Sequence, residues 1–138
     1  KGEIDRIKEI TYTFSKMITL VSIVPISILL FNSKAILNLW LGSGYDKLIP
    51  LLIILVAPLI FNIGVLPIFS VNTALNKVKI PGVLSLIFGM LYIILSILLV
   101  RHTDLGMYAV AISSMLALSI KNAIFTPIYA AYILNQKW

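Results

Sequence analysis

The feature that most limits how this chain can fold is where its charges are missing. Residues 17–33, 48–76, 80–100 and 105–120 contain no Asp, Glu, Lys, Arg or His. A helix needs roughly 20 predominantly apolar residues to cross the hydrocarbon core of a bilayer. The second and third stretches meet that requirement alone, and the other two meet it once their polar flanks are counted. Composition agrees, with 60% of the chain hydrophobic and 12% charged, against about 45–50% and about 25% in soluble domains. A water-soluble fold of 138 residues could not hide that much apolar side chain; a bilayer can. The expected fold is all-α, a polytopic transmembrane bundle of about four membrane-spanning helices.

Seven of the sixteen charged residues fall in residues 1–16. Ile4, Ile7, Thr11 and Phe14 recur there at helical spacing, so this segment is expected to be an amphipathic cytoplasmic lead-in to the first span. The spans are expected at about 11–31, 48–73, 80–100 and 105–120 or longer. Between the first two, the string ILNLWLG at residues 36–42 is too short to cross and carries Trp40, which favours the membrane–water interface. Gly42, Ser43 and Gly44 then form a turn. Residues 121–138 read as an amphipathic linker toward a further span. The chain opens on Lys1 rather than Met, with no signal peptide ahead of the first span, so it is expected to be a piece of a longer polypeptide.

The second span carries three prolines. Pro50 suits a first helical turn, where its missing N–H costs nothing. Pro58 and Pro67 each remove a backbone hydrogen bond and crowd a carbonyl four residues back, at Ile54 and Ile63. A bend near one of them is expected, with Asn62 one turn beyond Pro58 on the same face. In the third span Ser85, Gly89, Tyr92 and Ser96 make a small and polar stripe. In the fourth, Ala109, Ser113, Ala117 and Lys121 line one face at steps of four. Small residues let membrane helices approach closely, so both stripes should face protein, as packing surfaces or as the lining of a polar cavity.

Four spans place the lead-in, the connection between spans two and three, and the C-terminal segment on one side. That side holds Lys1, Arg6, Lys8, Lys16, Lys77, Lys79, Lys121 and Lys137, against Lys34, Lys47 and Arg101 on the other. The positive-inside bias puts both ends in the cytoplasm. The net charge of +6 is therefore read as topology marking. Its cations are scattered between apolar runs, not gathered with aromatics as in a nucleic-acid footprint, and no nucleic-acid partner is expected.

The inventory does not support an enzyme. Glu3, Asp5, Glu9, Asp46 and Asp104 all lie in the lead-in or in connections. His102 stands beside Arg101 without Cys or acidic partners, a poor metal site, and the chain has no cysteine. Ser113 and Ser114 have no base nearby in sequence, and the GSG at residues 42–44 is a turn rather than a phosphate loop. No metal and no cofactor is expected. A small proton-driven exporter would carry an acid within a span, and none occurs.

Four segments in order carry a resemblance: ILNLWLGSGYDKLIPLL at 36–52, ALNKVKIPG at 74–82, DLGMYAVAIS at 104–113 and KNAIFTPIYAAYIL at 121–134. Together they resemble the polysaccharide and O-antigen flippases of the multidrug/oligosaccharidyl-lipid/polysaccharide exporter superfamily. The likeness covers nearly the whole chain, and its information lies in the order and spacing of the segments. It implies part of one lobe of a larger transporter in the inner or plasma membrane, packed against the remaining spans of its parent. It further implies translocation of an undecaprenyl-pyrophosphate-linked oligosaccharide by alternating access. Cationic residues lining such a cavity would meet the pyrophosphate, and this chain departs from that picture in having no mid-span Arg. Two further readings are a four-span scaffold subunit without substrate and a multidrug exporter of the same superfamily.

The candidate substrate-binding residues are Asn62, Asn72 and Lys121. Polar groups buried in lipid are costly unless paired or wetted. In the competing reading the two asparagines pair with carbonyls freed by Pro58 and Pro67. Lys121, taken to lie near the cytoplasmic edge, then snorkels to the interface.

Overall fold

The computed structural model describes residues 2–135. Helix α1 spans Glu3–Phe31, and α2 spans Ser33–Leu41. A 3-10 turn, Asp46–Leu48, leads into α3 (Ile49–Val56), α4 (Leu59–Gly64) and α5 (Leu66–Ala74). Helix α6 covers Lys79–His102 and α7 covers Met107–Ile120; a π turn, Lys121–Phe125, joins α7 to α8 (Thr126–Asn135). Among the described residues there is no strand. Four helical stretches are long and apolar enough to cross a membrane: Glu3–Phe31, Asp46–Gly64, Lys79–His102 and Met107–Leu134. The expected all-α bundle of four spans is what the structure shows.

Span one is continuous through Pro25. Three of its hydroxyls are satisfied within the helix: Thr11, Thr19 and Ser22 donate to the carbonyls of Ile7, Ser15 and Ile18 at 2.7, 2.7 and 2.6 Å, whereas the buried Ser15 hydroxyl has no partner among the described residues. Such back-bonding lets a hydroxyl sit in an apolar environment without a partner on another helix. Glu3 and Asp5 fall in the first turn, where negative charge complements the exposed N–H groups.

Span two behaves differently. Its helix stops after Val56, restarts at Leu59, and is interrupted again at Val65. Each break adjoins a proline that cannot donate to the ladder. The restarts are tight: Phe61 N–H donates to the Pro58 carbonyl at 3.1 Å and Ile68 N–H to the Val65 carbonyl at 3.0 Å, i to i−3 bonds typical of helix ends. In place of a bent continuous helix, the proline-bearing segment forms three short helices, of which α5 lies beyond the Asp46–Gly64 stretch.

The connection between spans one and two holds α2, with Leu39 and Trp40 91% and 80% exposed. Those two side chains would lie in the interface. The turn after α2 depends on glycine, with Gly42 at φ 90° and Gly44 at φ 113°, a region closed to most side chains.

Helix α1 packs along α4 and α5, α3 and α4 pack against α7, and α6 packs along α7. Among the glycines, Gly64 is the one closely approached by another element: an added Cβ would lie 2.5 Å from Thr19 Oγ1. Span four is the inner helix: 33% of its apolar window is buried, against 6% in each of the other three.

The structure differs from the sequence reading at the end of span four. Apolar helix continues to Leu134, across much of the segment read as a linker over 121–138; residues 136–138 lie outside the described residues. The expectation of a span over 105–120 or longer allowed for this extension, and Lys121 falls near the middle of the resulting helix. About 20 Å of helix lies on either side, at 1.5 Å per residue. Lys121 therefore lies within the helix rather than at its end, and it is set aside as a topology-marking cation.

Candidate functional site

The site is built where span four changes its winding. One series of its buried residues is Ala109, Ser113, Ala117, Asn122, Thr126, Ala130 and Leu134, with Ala111 and Ile133 buried beside it. The series recurs at steps of four, except for one step of five between Ala117 and Asn122 that coincides with the π turn. A π turn accommodates one extra residue per turn and often marks a functional position. Here it keeps the small-residue stripe facing the bundle above and below the insertion. The carbonyl of Lys121 receives the Thr126 hydroxyl at 3.1 Å, five residues along, as the wider winding requires.

Lys121 and Asn122 consequently reach in different directions. Asn122, 6% exposed, donates from Nδ2 to Asn62 Oδ1 on α4 at 2.7 Å. Lys121 extends toward span three, where its ammonium donates to Ser85 Oγ at 3.2 Å. The same ammonium stands 5.8 Å from the centroid of the Phe69 ring, within cation–π range. Phe125 packs edge-on against Phe88 of α6, ring centroids 5.3 Å apart.

A small cavity of about 10 Å³, lined by Phe69, Asn72, Ser85, Lys121, Thr126 and Tyr129 among others, sits at this junction. That is room for about one water. Asn72 on α5 is 2% exposed, and neither its Nδ2 nor its Oδ1 has a partner. Nearly all buried polar groups in folded proteins are paired, so this free amide beside a lysine is unusual. Tyr129 closes the α8 side, its hydroxyl donating to the Lys77 carbonyl at 3.1 Å. On the other side of Lys121 a groove of about 220 Å³ runs between α6 and α7, lined by Ser85, Phe88, Gly89, Tyr92, Ser114, Ala117 and Leu118. Ser85, Gly89 and Tyr92 are the stripe read from sequence, and they face protein together with Ala117.

The three candidate residues are thus placed as follows. Lys121 and Asn72 line one cavity. Asn62 lies apart from it, committed to Asn122. Among the described residues, neither asparagine is bonded to a carbonyl freed by proline, and Lys121 bonds across to the exposed Ser85 of span three. Asn122 is the residue that the sequence reading missed. Its signal was present as a slip in phase: after Ala109, Ser113 and Ala117, the small and polar series resumes at Asn122, Thr126 and Ala130, one residue late for an α-helix. Lys121, four residues from Ala117, looked like the natural continuation.

Among the described residues no group of three or more His, Cys, Asp or Glu side chains is placed to hold a metal ion. What the junction offers is one cation, the hydroxyls of Ser85, Thr126 and Tyr129, one free amide and aromatic walls, beside an apolar helix. That arrangement can hold an anionic or strongly hydrogen-bonding group; it contains no nucleophile paired with a base.

Fold and composition define a multi-pass helical membrane protein. The chain is similar to an uncharacterised membrane protein, EpsK, of Bacillus subtilis strain 168, with 28% identity over 137 residues. The match covers 99% of this chain and 27% of the relative, so the chain spans about a quarter of the length of the protein it matches. No family model and no solved structure matches it.

Proposed function

We propose that this chain is part of a membrane flippase that exports lipid-linked oligosaccharide or polysaccharide precursors by alternating access. The observation that carries the reading is Lys121, a cation at the midpoint of an apolar span with only neutral partners around it. An ionisable residue at that depth is costly, and where it occurs it commonly marks a substrate or ion pathway. The apolar stretches of the other spans contain no carboxylate to neutralise it. A diphosphate headgroup would supply the missing charge, bound by charge-assisted hydrogen bonds. Ser85 and Asn72 add polar contacts within the same junction. A position near the middle of the span also suits alternating access, in which a central site is exposed to each side in turn. The glycan part of the reading comes from the family resemblance.

In this reading the fragment lies in the cell membrane with both ends cytoplasmic. The Lys/Arg asymmetry persists without Lys121, with Lys1, Arg6, Lys8, Lys16, Lys77, Lys79 and Lys137 set against Lys34, Lys47 and Arg101. The chain performs no covalent chemistry, and the remaining spans of the parent complete the cavity.

The test is glycan export in cells that depend on the full-length parent. Lys121→Ala is expected to lower export at least about tenfold with membrane abundance unchanged. Lys121→Arg is expected to retain more, because a guanidinium also binds phosphate oxygens. Normal export by Lys121→Ala at normal abundance would overturn the reading and favour a scaffold. A defect confined to drug efflux would favour the multidrug exporter.

A further inference from the structure

The adjacent residues Lys121 and Asn122 point to different neighbours, and only Lys121 lines the cavity. We propose that Asn122 is the positioning residue of this site: its hydrogen bond to Asn62 locks the π turn, and the locked turn directs Lys121 toward Ser85. The proposal rests on the flippase reading only for its transport readout; the structural part stands by itself.

Three independent observations carry it. The first is the phase of the buried stripe. In an uninterrupted α-helix the residue four after Ala117 continues its face, and that residue is Lys121. The π turn moves Asn122 into that place instead, 6% exposed, and leaves Lys121 half-buried beside it. The winding therefore decides which of the two side chains faces span two. The second is the partner. Asn62 sits on α4 in the first turn after the Pro58 break, so the bond joins the interrupted part of span two to the rewound part of span four. The third is the lack of alternatives. Asn122 Oδ1 is buried without a partner, so among the described residues the 2.7 Å bond to Asn62 is the one polar contact of its side chain. Without that bond, the buried amide of Asn122 and the half-buried amide of Asn62 gain nothing from being brought together. Relaxation to a regular α-helix would then rotate Lys121 onto the stripe and away from Ser85.

The mechanism separates roles that the sequence merged. Asn62 acts as a strut and Lys121 as the group that meets substrate. Thr126, bonded to the Lys121 carbonyl, holds the far edge of the turn.

The experiment uses the full-length parent in lipid nanodiscs and follows amide hydrogen exchange across residues 121–126, alongside export in cells. Asn122→Leu, close in volume, is expected to speed exchange there at least tenfold while amides 86–98 of α6 keep their rates. Its export is expected to fall to the level of Lys121→Ala, and the double variant is expected to be no worse than Lys121→Ala alone. Deletion of Ala123, which removes the extra residue, is expected to restore protection as a regular α-helix yet leave export impaired. Unchanged exchange in Asn122→Leu overturns the proposal. So does loosened exchange with intact export, when Lys121→Ala is impaired, and so does normal export after deletion of Ala123. If Lys121→Ala exports normally, the flippase reading fails and exchange alone decides the role of the bond. Should Asn122→Leu not accumulate in the membrane, Asn62→Leu breaks the same bond from the other side. Loss of both proteins assigns the pair to folding and overturns a positioning role.

Discussion

Spans three and four are both apolar and both candidates to cross a bilayer, yet they do opposite things with their surfaces. Helix α6 runs from Lys79 to His102 without a break and buries only 6% of its apolar window; span four, rewound at its centre, buries 33%. Helix α6 turns Leu86, Met90, Ile93, Ile94 and Ile97 outward, where lipid or further spans of a longer protein can cover them. Span four turns Ala109, Ser113, Ala117 and Asn122 inward. The difference teaches that hydropathy alone does not rank helices by importance. Small residues and a winding defect identify the helix against which the others pack, because close approach needs small side chains and a π turn is retained only where packing or function compensates it.

The sharpest way to break this comparison is to remove the polar centre of span four and a side chain of span three. Lys121→Ala is expected to lower export at least about tenfold, whereas Leu86→Ala should leave it within about twofold. Equal losses would mean that the two spans do not differ in role.

The next largest effect is steric. Ser113 is fully buried, 0% exposed, and its hydroxyl donates to the Ala109 carbonyl at 2.7 Å. Ser113→Leu forces extra volume into the α7 interface and should cost about 1–3 kcal/mol, read as a lower midpoint in thermal unfolding of the purified parent. Leu86→Ala, at a position 65% exposed, should change stability by less than about 0.5 kcal/mol. A smaller penalty for Ser113→Leu than for Leu86→Ala would reverse the assignment of inner and outer helices.

A third and smaller effect tests how spans one and two are held together. Gly64→Ala brings a methyl group to 2.5 Å from Thr19 Oγ1, and that hydroxyl is held by the Ser15 carbonyl. The substitution is expected to cost about 1 kcal/mol, and Thr19→Ala in the same protein should recover most of it. Additive losses in the double variant would show that the two residues do not meet.

Much of this fold could be read from the chain. The charge-free runs mark four spans because an ionised side chain is too costly to leave in hydrocarbon without reason. Pro58 and Pro67, each without a donor for the ladder, mark the breaks of span two, whereas Pro25 leaves span one unbroken. The same charge rule leaves the end of span four open, at residue 120 or beyond. Lys121 lies inside the helix with Ser85 and Phe69 for company. The Asn62–Asn122 bond joins residues 60 positions apart, and no local pattern reports such a pairing. The glycine turn at Gly42 and Gly44 was legible, since positive φ values select for that residue. The exposed face of α2 was also legible in outline from Trp40.

The central claim is that Lys121 lies at mid-depth in a span running from Met107 to Leu134. The chain has no cysteine, which leaves each introduced label unique within it. The direct measurement is nitroxide depth by electron paramagnetic resonance, with single cysteines at positions 107, 114, 121, 128 and 134 of the full-length protein in bilayers. Depth is expected to be greatest at 121 and to fall toward both ends. A profile that falls steadily from 114 onward and places 121 at headgroup level would contradict the account.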